Sequence, residues 1–233
     1  MRISIIKLME EAKKRMSGYA ALLNYRYHNL CVKARPEALL SFSISDEGVD
    51  APIEDVANVC NAPERDDQFE IYPLSPGLLL LIIKSLKKVH PEFLIEIKTV
   101  EGSDDEDDKY ILATMPPVDK ARHDVLMEAV GILADWCNGK MEATFSYFTA
   151  SIQQKLMDAQ ADEIDEAKDA LQDIKDAHDD LCKQFRADKE GEIEDAYQQF
   201  QAELEEKKAK LQEEEAAHNL QAGLQMKMTP DSE

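Results

Sequence analysis

The chain has 233 residues, a formal net charge of −21 and 32% charged side chains. That length allows one or two domains with cores of their own. Charge of that sign repels nucleic acid and anionic membrane unless basic residues are concentrated somewhere, and no apolar run reaches the roughly 18 residues needed to span a bilayer.

Taken in chain order, residues 3–31 carry Ile5, Leu8, Ala12, Met16, Leu23, Tyr27 and Leu30 at helical spacing, which predicts a first helix. Gly18 inside it costs about 1 kcal/mol relative to Ala, a cost that a close helix contact would offset. Lys13, Lys14, Arg15 and Arg26 give this helix the densest positive charge in the chain. Lys33-Ala34-Arg35-Pro36 then leads into mixed sequence. Segments 39–44, 69–72, 93–97 and 110–113 read as strands. Residues 52–57 read as a short Pro-started helix or turn. Residues 78–89 read as a helix, with Ser75 as N-cap and Pro76 at the first helical position. The apolar run 78–83 suits a buried element. The acidic stretch 101–108 has too little apolar content to pack and reads as a mobile hairpin loop.

At Met115-Pro116-Pro117 the sequence turns back to helix. Residues 119–158 open with Asp119 as cap and carry the stripe Leu126, Val130, Leu133, Cys137, Met141, Phe145, Phe148 and Ile152. Gly131 and Gly139 weaken it locally. After a turn around 159–162, Ile164, Ala167, Leu171, Ile174, His178, Leu181 and Phe185 form a heptad seam. The step from Phe185 to Ile193 breaks phase at Gly191, and Ile193, Tyr197, Phe200, Leu204 and Leu211 form a second phase. Residues from about Ala216 onward are polar and expected to fray.

A lone first helix cannot bury its apolar stripe, so it should dock on the distant C-terminal pair. The expected fold is α+β: an elongated three-helix bundle carrying an inserted small β-rich domain.

Little points to catalysis. There is no phosphate loop, no Gly-x-Gly-x-x-Gly and no Gly-x-Ser-x-Gly elbow, so neither an enzyme nor a small-molecule substrate or cofactor is expected. Cys31, Cys60, Cys137 and Cys182 lack zinc-ligand spacing and read as free, mostly buried thiols. The carboxylates at 162–169 lack a calcium-loop pattern and read as a solvated helix start. His178 reads as a polar residue tolerated in the seam. Trp136, Phe145 and Tyr147 are the candidate protein-partner residues, with partial burial in the bundle the competing reading for Trp136.

The order of these elements resembles that of ribosome recycling factors, and several short motifs support it. Ala12-Lys13-Lys14-Arg15-Met16 is similar to that family's Ala-x-x-Arg-Met. The segment from Pro52 through Val59 is similar to its Pro-Leu-x-x-Leu-Ala-x-Val, and Ser75-Pro76 to the Ser-Pro that opens its small helix. Ile111 to Val118 resembles Ile-x-x-x-Leu-Pro-Pro-Leu, with Arg122 and Leu126 in register after it. Ala187 to Ile193 is similar to the end of the family's last helix.

The resemblance implies a bundle of residues 1–32 and 118–194 and an inserted domain of residues 33–117. Residues 195–233 would be a helical extension. It implies hinges at Val32, Lys33, Ala34, Arg35 and at Met115, Pro116, Pro117, Val118. It also implies a non-catalytic factor that binds a terminated ribosome and separates the subunits with elongation factor G and GTP. The bundle would touch ribosomal RNA, here through Lys13, Lys14, Arg15, Arg26, Lys33, Arg35 and Arg122. Ordinary solvated helix charge is the competing reading for that set.

The sequence departs from the family at its arginines. Cys31-Val32-Lys33-Ala34-Arg35 stands where the family has Arg-Thr-Gly-Arg-Ala. Gly131, Asn138, Glu142, Phe145 and Ser146 stand at its arginine positions in the second long helix. Losing several phosphate contacts costs roughly 10³-fold in affinity or more at moderate salt. Three readings stay open. The first is a divergent recycling factor on an organellar, mitochondrial ribosome rich in protein. The second is the same fold reused as a structural or assembly subunit of a mitochondrial ribosomal particle, and the third is an acidic coiled-coil adaptor.

Overall fold

The computed structural model describes residues 2–39, 42–46, 48–63, 65–100, 102 and 108–227, with the backbone alone for residues 46 and 217–227. The fold is a bundle of three long helices with a small antiparallel-sheet module inserted between the first and second.

Helix α1 (Ile3–His28) buries Ile5, Met9, Ala12, Met16, Ala20, Leu23 and Tyr27. Steps of three and four residues keep these on one face. Leu8 and Leu30, expected in the stripe, are only half-buried. Gly18 is not a close-contact site: a side chain there would meet nothing within 4 Å.

Helix α2 (Leu79–Val89) belongs to the module and follows a 3₁₀ turn at Pro76–Leu78. The Ser75 side chain makes no capping bond, contrary to expectation. Its carbonyl instead accepts the Leu78 N–H at 3.0 Å. Nor is the apolar run around it wholly buried. Leu79, Ile82 and Leu86 face the core while Leu80 is 71% exposed, which marks an amphipathic helix lying on a sheet.

That sheet has four antiparallel strands in the order β3-β4-β6-β5. They are β3 (Ala57–Asn61), β4 (Gln68–Pro73), β5 (Leu94–Thr99) and β6 (Lys109–Thr114). Phe69 and Ile71 of β4 and Ile111 and Ala113 of β6 point inward, as two-residue periodicity requires. A separate hairpin pairs β1 (Ser43–Asp46) with β2 (Val49–Pro52). Gly48, at φ +85°, supplies the left-handed residue of its turn. The strand expected at 39–44 is displaced. Pro36–Leu39 is a 3₁₀ turn, residues 40 and 41 lie outside the described set, and pairing begins at Ser43. Of the acidic stretch 101–108 only residues 102 and 108 are described, so the expected hairpin loop lies outside the described residues.

Helix α3 (Lys120–Lys155) starts on Asp119, whose side chain accepts the Arg122 N–H. It runs unbroken through Gly131 and Gly139, with Ala134 and Thr144 also buried. A turn from Leu156 leads into α4 (Ala161–Lys227), 67 residues long and so about 100 Å.

The seam of α4 differs from the heptad expectation. Cys182 is buried at 4% exposure while Leu181 is 39% exposed, and Lys189 fills the supposed phase break at 6%. Ala167, His178 and Lys189 are buried at successive intervals of eleven residues, and so are Leu171, Cys182 and Ile193. Phe200 and Leu204 continue the two rows as half-buried residues. An 11-residue repeat, about 3.67 residues per turn, lets one face track its neighbours without a left-handed supercoil. His178 fits because both ring nitrogens are satisfied. Nδ1 donates to the Ile174 carbonyl at 2.6 Å, and Nε2 accepts from the Ser17 hydroxyl at 2.8 Å.

Candidate functional site

Two chain segments join module to bundle, and the described contacts tie them together. Val32 and Val118 bury in the bundle core, whereas Ala34 and Met115 bury in the module core. Of the eight residues expected as hinges, these four are therefore packed anchors. Lys33, Pro116 and Pro117, which are half-buried or exposed, lie between them.

Both segments are fastened to one loop of the module. The Ala34 N–H donates to the Asp66 carbonyl at 2.6 Å, and the Met115 N–H to the Asp67 carbonyl at 2.8 Å. Arg65 holds that loop through the Asp67 carboxylate, its Nε 2.8 Å away.

Arg122 completes the joint. One guanidinium nitrogen donates to the Pro116 carbonyl and the other to the Cys31 carbonyl at 2.7 Å. Its planar fork spans both segments, which a lysine could not do. Burial pushes this guanidinium below the ordinary arginine range. The structure thus turns Arg122 into the joint rather than outward. A cleft of about 520 Å³ lies beside it, lined by Leu30, Cys31, His90, Val125 and Leu126 among others.

Helix α4 supplies a third support. Arg35 pairs with Glu192 at 3.4 Å, and the buried Lys189 ammonium pairs with the same carboxylate at 3.0 Å. Desolvation lowers the Lys189 pKa, with Glu192 opposing it. Further along, His123 of α3 lies 3.1 Å from the Glu194 carboxylate and packs on Tyr197 at 4.8 Å.

The remaining expected RNA-facing residues do not gather into one patch. Lys13 and Lys14 are exposed in the first half of α1. Arg15 pairs with Glu11 and lies 5.3 Å from the Tyr147 and Phe148 rings. Arg26 stacks 4.0 Å over Trp136, whose edge also meets Tyr19. Lys33 is half-buried. From Lys13 to Arg26 the helix climbs about 20 Å.

Among the aromatic candidates, Trp136 and Phe145 are half-buried within the bundle and Tyr147 is 55% exposed. At the position of another family arginine, Glu142 receives Lys175 at 2.8 Å, and Asp179 receives the same ammonium at 2.6 Å. Glu142 and Phe145, two of the positions where the resemblance expects arginine, thus serve internal pairing and packing in this chain.

Sequence reading missed Asp66, Asp67, His123, Lys189 and Glu192. The first two act through backbone carbonyls, which carry no residue signature. Lys189 and Glu192 are visible only as an i,i+3 pair among many on α4. Among the described residues no group of three or more His, Cys, Asp or Glu side chains could hold a metal ion, and no helix is long and apolar enough to cross a membrane.

No protein-family model matches the chain, and no curated protein matches it by sequence. Solved structures do match. A solution structure of a ribosome recycling factor aligns with TM-score 0.64 at 19% identity, covering 84% of this chain and 100% of that one. A second match comes from models of the T. thermophilus ribosome recycling factor and E. coli elongation factor G bound to the E. coli post-termination complex. It has TM-score 0.55 and 20% identity, and covers 81% of this chain and 98% of its counterpart. At such identity the likeness is one of fold, and the fold is that of a ribosome recycling factor.

Proposed function

We propose that this chain is a recycling-factor-like translation factor that binds a post-termination ribosome and assists subunit separation alongside a translocation GTPase of the elongation factor G kind. The observation that carries the reading is the alignment over the whole length of a recycling factor, bundle and inserted module together. The proposal extends to an organellar, mitochondrial ribosome. There basic ribosomal proteins would meet a surface of net charge −21 more readily than bare RNA does. Of the residues expected to face RNA, Lys13 and Lys14 are exposed on α1, and of the aromatic partner candidates Tyr147 is exposed.

A second reading is supported by the joint. Its ties to residues 66 and 67, Arg122 and Glu192 suit a static subunit or assembly factor of the ribosomal particle as well as a moving wedge. Sucrose-gradient sedimentation of native extract, with and without EDTA, separates the two. Association with intact monosomes that is lost on dissociation supports the recycling factor. Stoichiometric migration with one separated subunit supports the structural role. Absence from every ribosomal fraction refutes both and leaves an acidic adaptor. Lys33→Glu combined with Arg35→Glu should weaken co-sedimentation if cations at the joint reach the ribosome, and unchanged co-sedimentation would assign the contact to other surfaces.

A further inference from the structure

Cys137, in the middle of α3, and Cys182 of α4 meet across the bundle with their sulfurs 3.6 Å apart. Cys137 is fully buried and Cys182 is 4% exposed. They share the core cluster of Met141, Val130 and Ile193. Neither thiol belongs to the joint or to a surface discussed above. The other two lie elsewhere, Cys31 at the joint and Cys60 exposed on β3.

We propose that Cys137 and Cys182 form a two-electron redox site that closes to a disulfide tying α3 to α4. Two observations support it. The sulfurs are in van der Waals contact at 3.6 Å, so the disulfide length of about 2.05 Å is a further approach of about 1.5 Å. The S–H of Cys137 can hydrogen-bond to the Cys182 sulfur, which stabilises the Cys182 thiolate and holds its pKa below the ordinary thiol value. Reactivity follows the thiolate. The Tyr19 carbonyl, 3.7 Å from the Cys137 sulfur, is the alternative acceptor when both thiols are protonated.

The oxidant fitted to so enclosed a site is a small peroxide. The Cys182 thiolate attacks one peroxide oxygen and breaks the O–O bond. That leaves a sulfenic acid on Cys182 and expels hydroxide, which takes up the proton Cys182 lost on ionising and becomes the first water. The Cys137 sulfur then attacks the sulfenyl sulfur. The S–S bond forms as hydroxide departs and takes the thiol proton, giving the second water. Two thiols and one hydrogen peroxide thus yield one disulfide and two waters.

The test treats the full chain with hydrogen peroxide, digests it without reduction and maps the cysteine peptides by mass. The expected result is a Cys137–Cys182 cross-linked peptide as the main product, restored to two thiols by dithiothreitol. The bond closes a 45-residue separation, so the oxidised chain should melt higher by roughly 5–15 °C. C182S and C137A should each fold with unchanged helical circular dichroism and lose both the cross-link and the shift. If one variant fails to fold, the wild-type peptide map alone decides. Cys137 and Cys182 that stay alkylatable in the unfolded, peroxide-treated chain would overturn the proposal. So would sulfinic or sulfonic acid in place of the cross-link, or a disulfide through Cys60 as the only one formed.

Discussion

Replacing Arg122 with alanine tests whether the joint is clamped as described. The guanidinium donates to the carbonyls of Pro116 and Cys31, one in each connecting segment. Hydrogen bonds from a charged donor contribute about 1.5–3 kcal/mol each. Burial of the guanidinium, visible in its lowered pKa, offsets part of that sum. Arg122→Ala should therefore cost about 2–4 kcal/mol, because two carbonyls lose their partner and the cleft beside them floods. The expected drop in melting temperature is roughly 5–15 °C. Arg122→Lys should recover less than half, since one ammonium cannot bridge both carbonyls. Urea unfolding measures the total, and native-state hydrogen exchange locates it. The amides of Ala34 and Met115, bonded to the carbonyls of Asp66 and Asp67, should exchange faster in the alanine variant. Unfolding within about 0.5 kcal/mol of wild type, a surface-like effect, with those two amides equally protected, would refute the clamp.

Other consequences can be checked separately. Burial pushes the Tyr27 phenol up to about 12, so its contribution to stability is complete below the unfolded value of about 10 and is lost as pH rises through 12. Wild-type melting temperature should fall across that window, with the Cys31 thiol, pushed up to about 11 by burial, adding to the loss. Tyr27→Phe should fall less steeply over the same range. Glu192→Gln should destabilise by about 1–3 kcal/mol because it leaves the buried Lys189 ammonium without its carboxylate. Lys189→Met should be neutral or stabilising, since it removes the desolvated charge and keeps the packed stem; chemical denaturation compares the two. Tyr147→Ala should leave stability within about 0.5 kcal/mol, yet reduce ribosome co-sedimentation if that exposed ring contacts a ribosomal protein.

The long helices were legible because their apolar periodicity outweighs everything else in their sequences. The Asp119 cap and the proline turn before it marked the start of α3 directly. What misled was polarity inside the seam of α4. His178 and Lys189 occupy buried positions, so counting apolar residues alone gave two heptad phases instead of one 11-residue repeat. Strand β3 was missed for the opposite reason. Ala57-Asn58-Val59-Cys60-Asn61 has no strong strand signal, and its conformation comes from pairing with β4 and from the module core beneath it. The basic candidates were easily named, but the sequence could not say which way they point. Arg122 faces inward because two carbonyls wait there, and Arg26 is turned onto Trp136 by the ring's negative face.

The mechanism turns on whether the contacts of α4 lock the joint or bias it. Arg35–Glu192 joins an arginine about half exposed to a largely buried glutamate, and His123–Glu194 a largely buried histidine to a glutamate about half exposed. Solvent screening at the exposed end of each pair holds its contribution to about 1 kcal/mol. Breaking one during a swing of the module would change the population of the swung state by at most about fivefold. The backbone ties of Ala34 and Met115 and the Arg122 fork are less exposed and weigh more. The free energy opposing motion therefore sits in the two connecting segments, not in the long helix beside them. Arg35→Ala should then leave inter-domain distances unchanged, as read by spin-label pairs on α4 and β5, whereas Arg122→Ala should broaden them. Equal broadening in both variants would place the restraint on α4 and make its long continuation the element that sets the module's orientation.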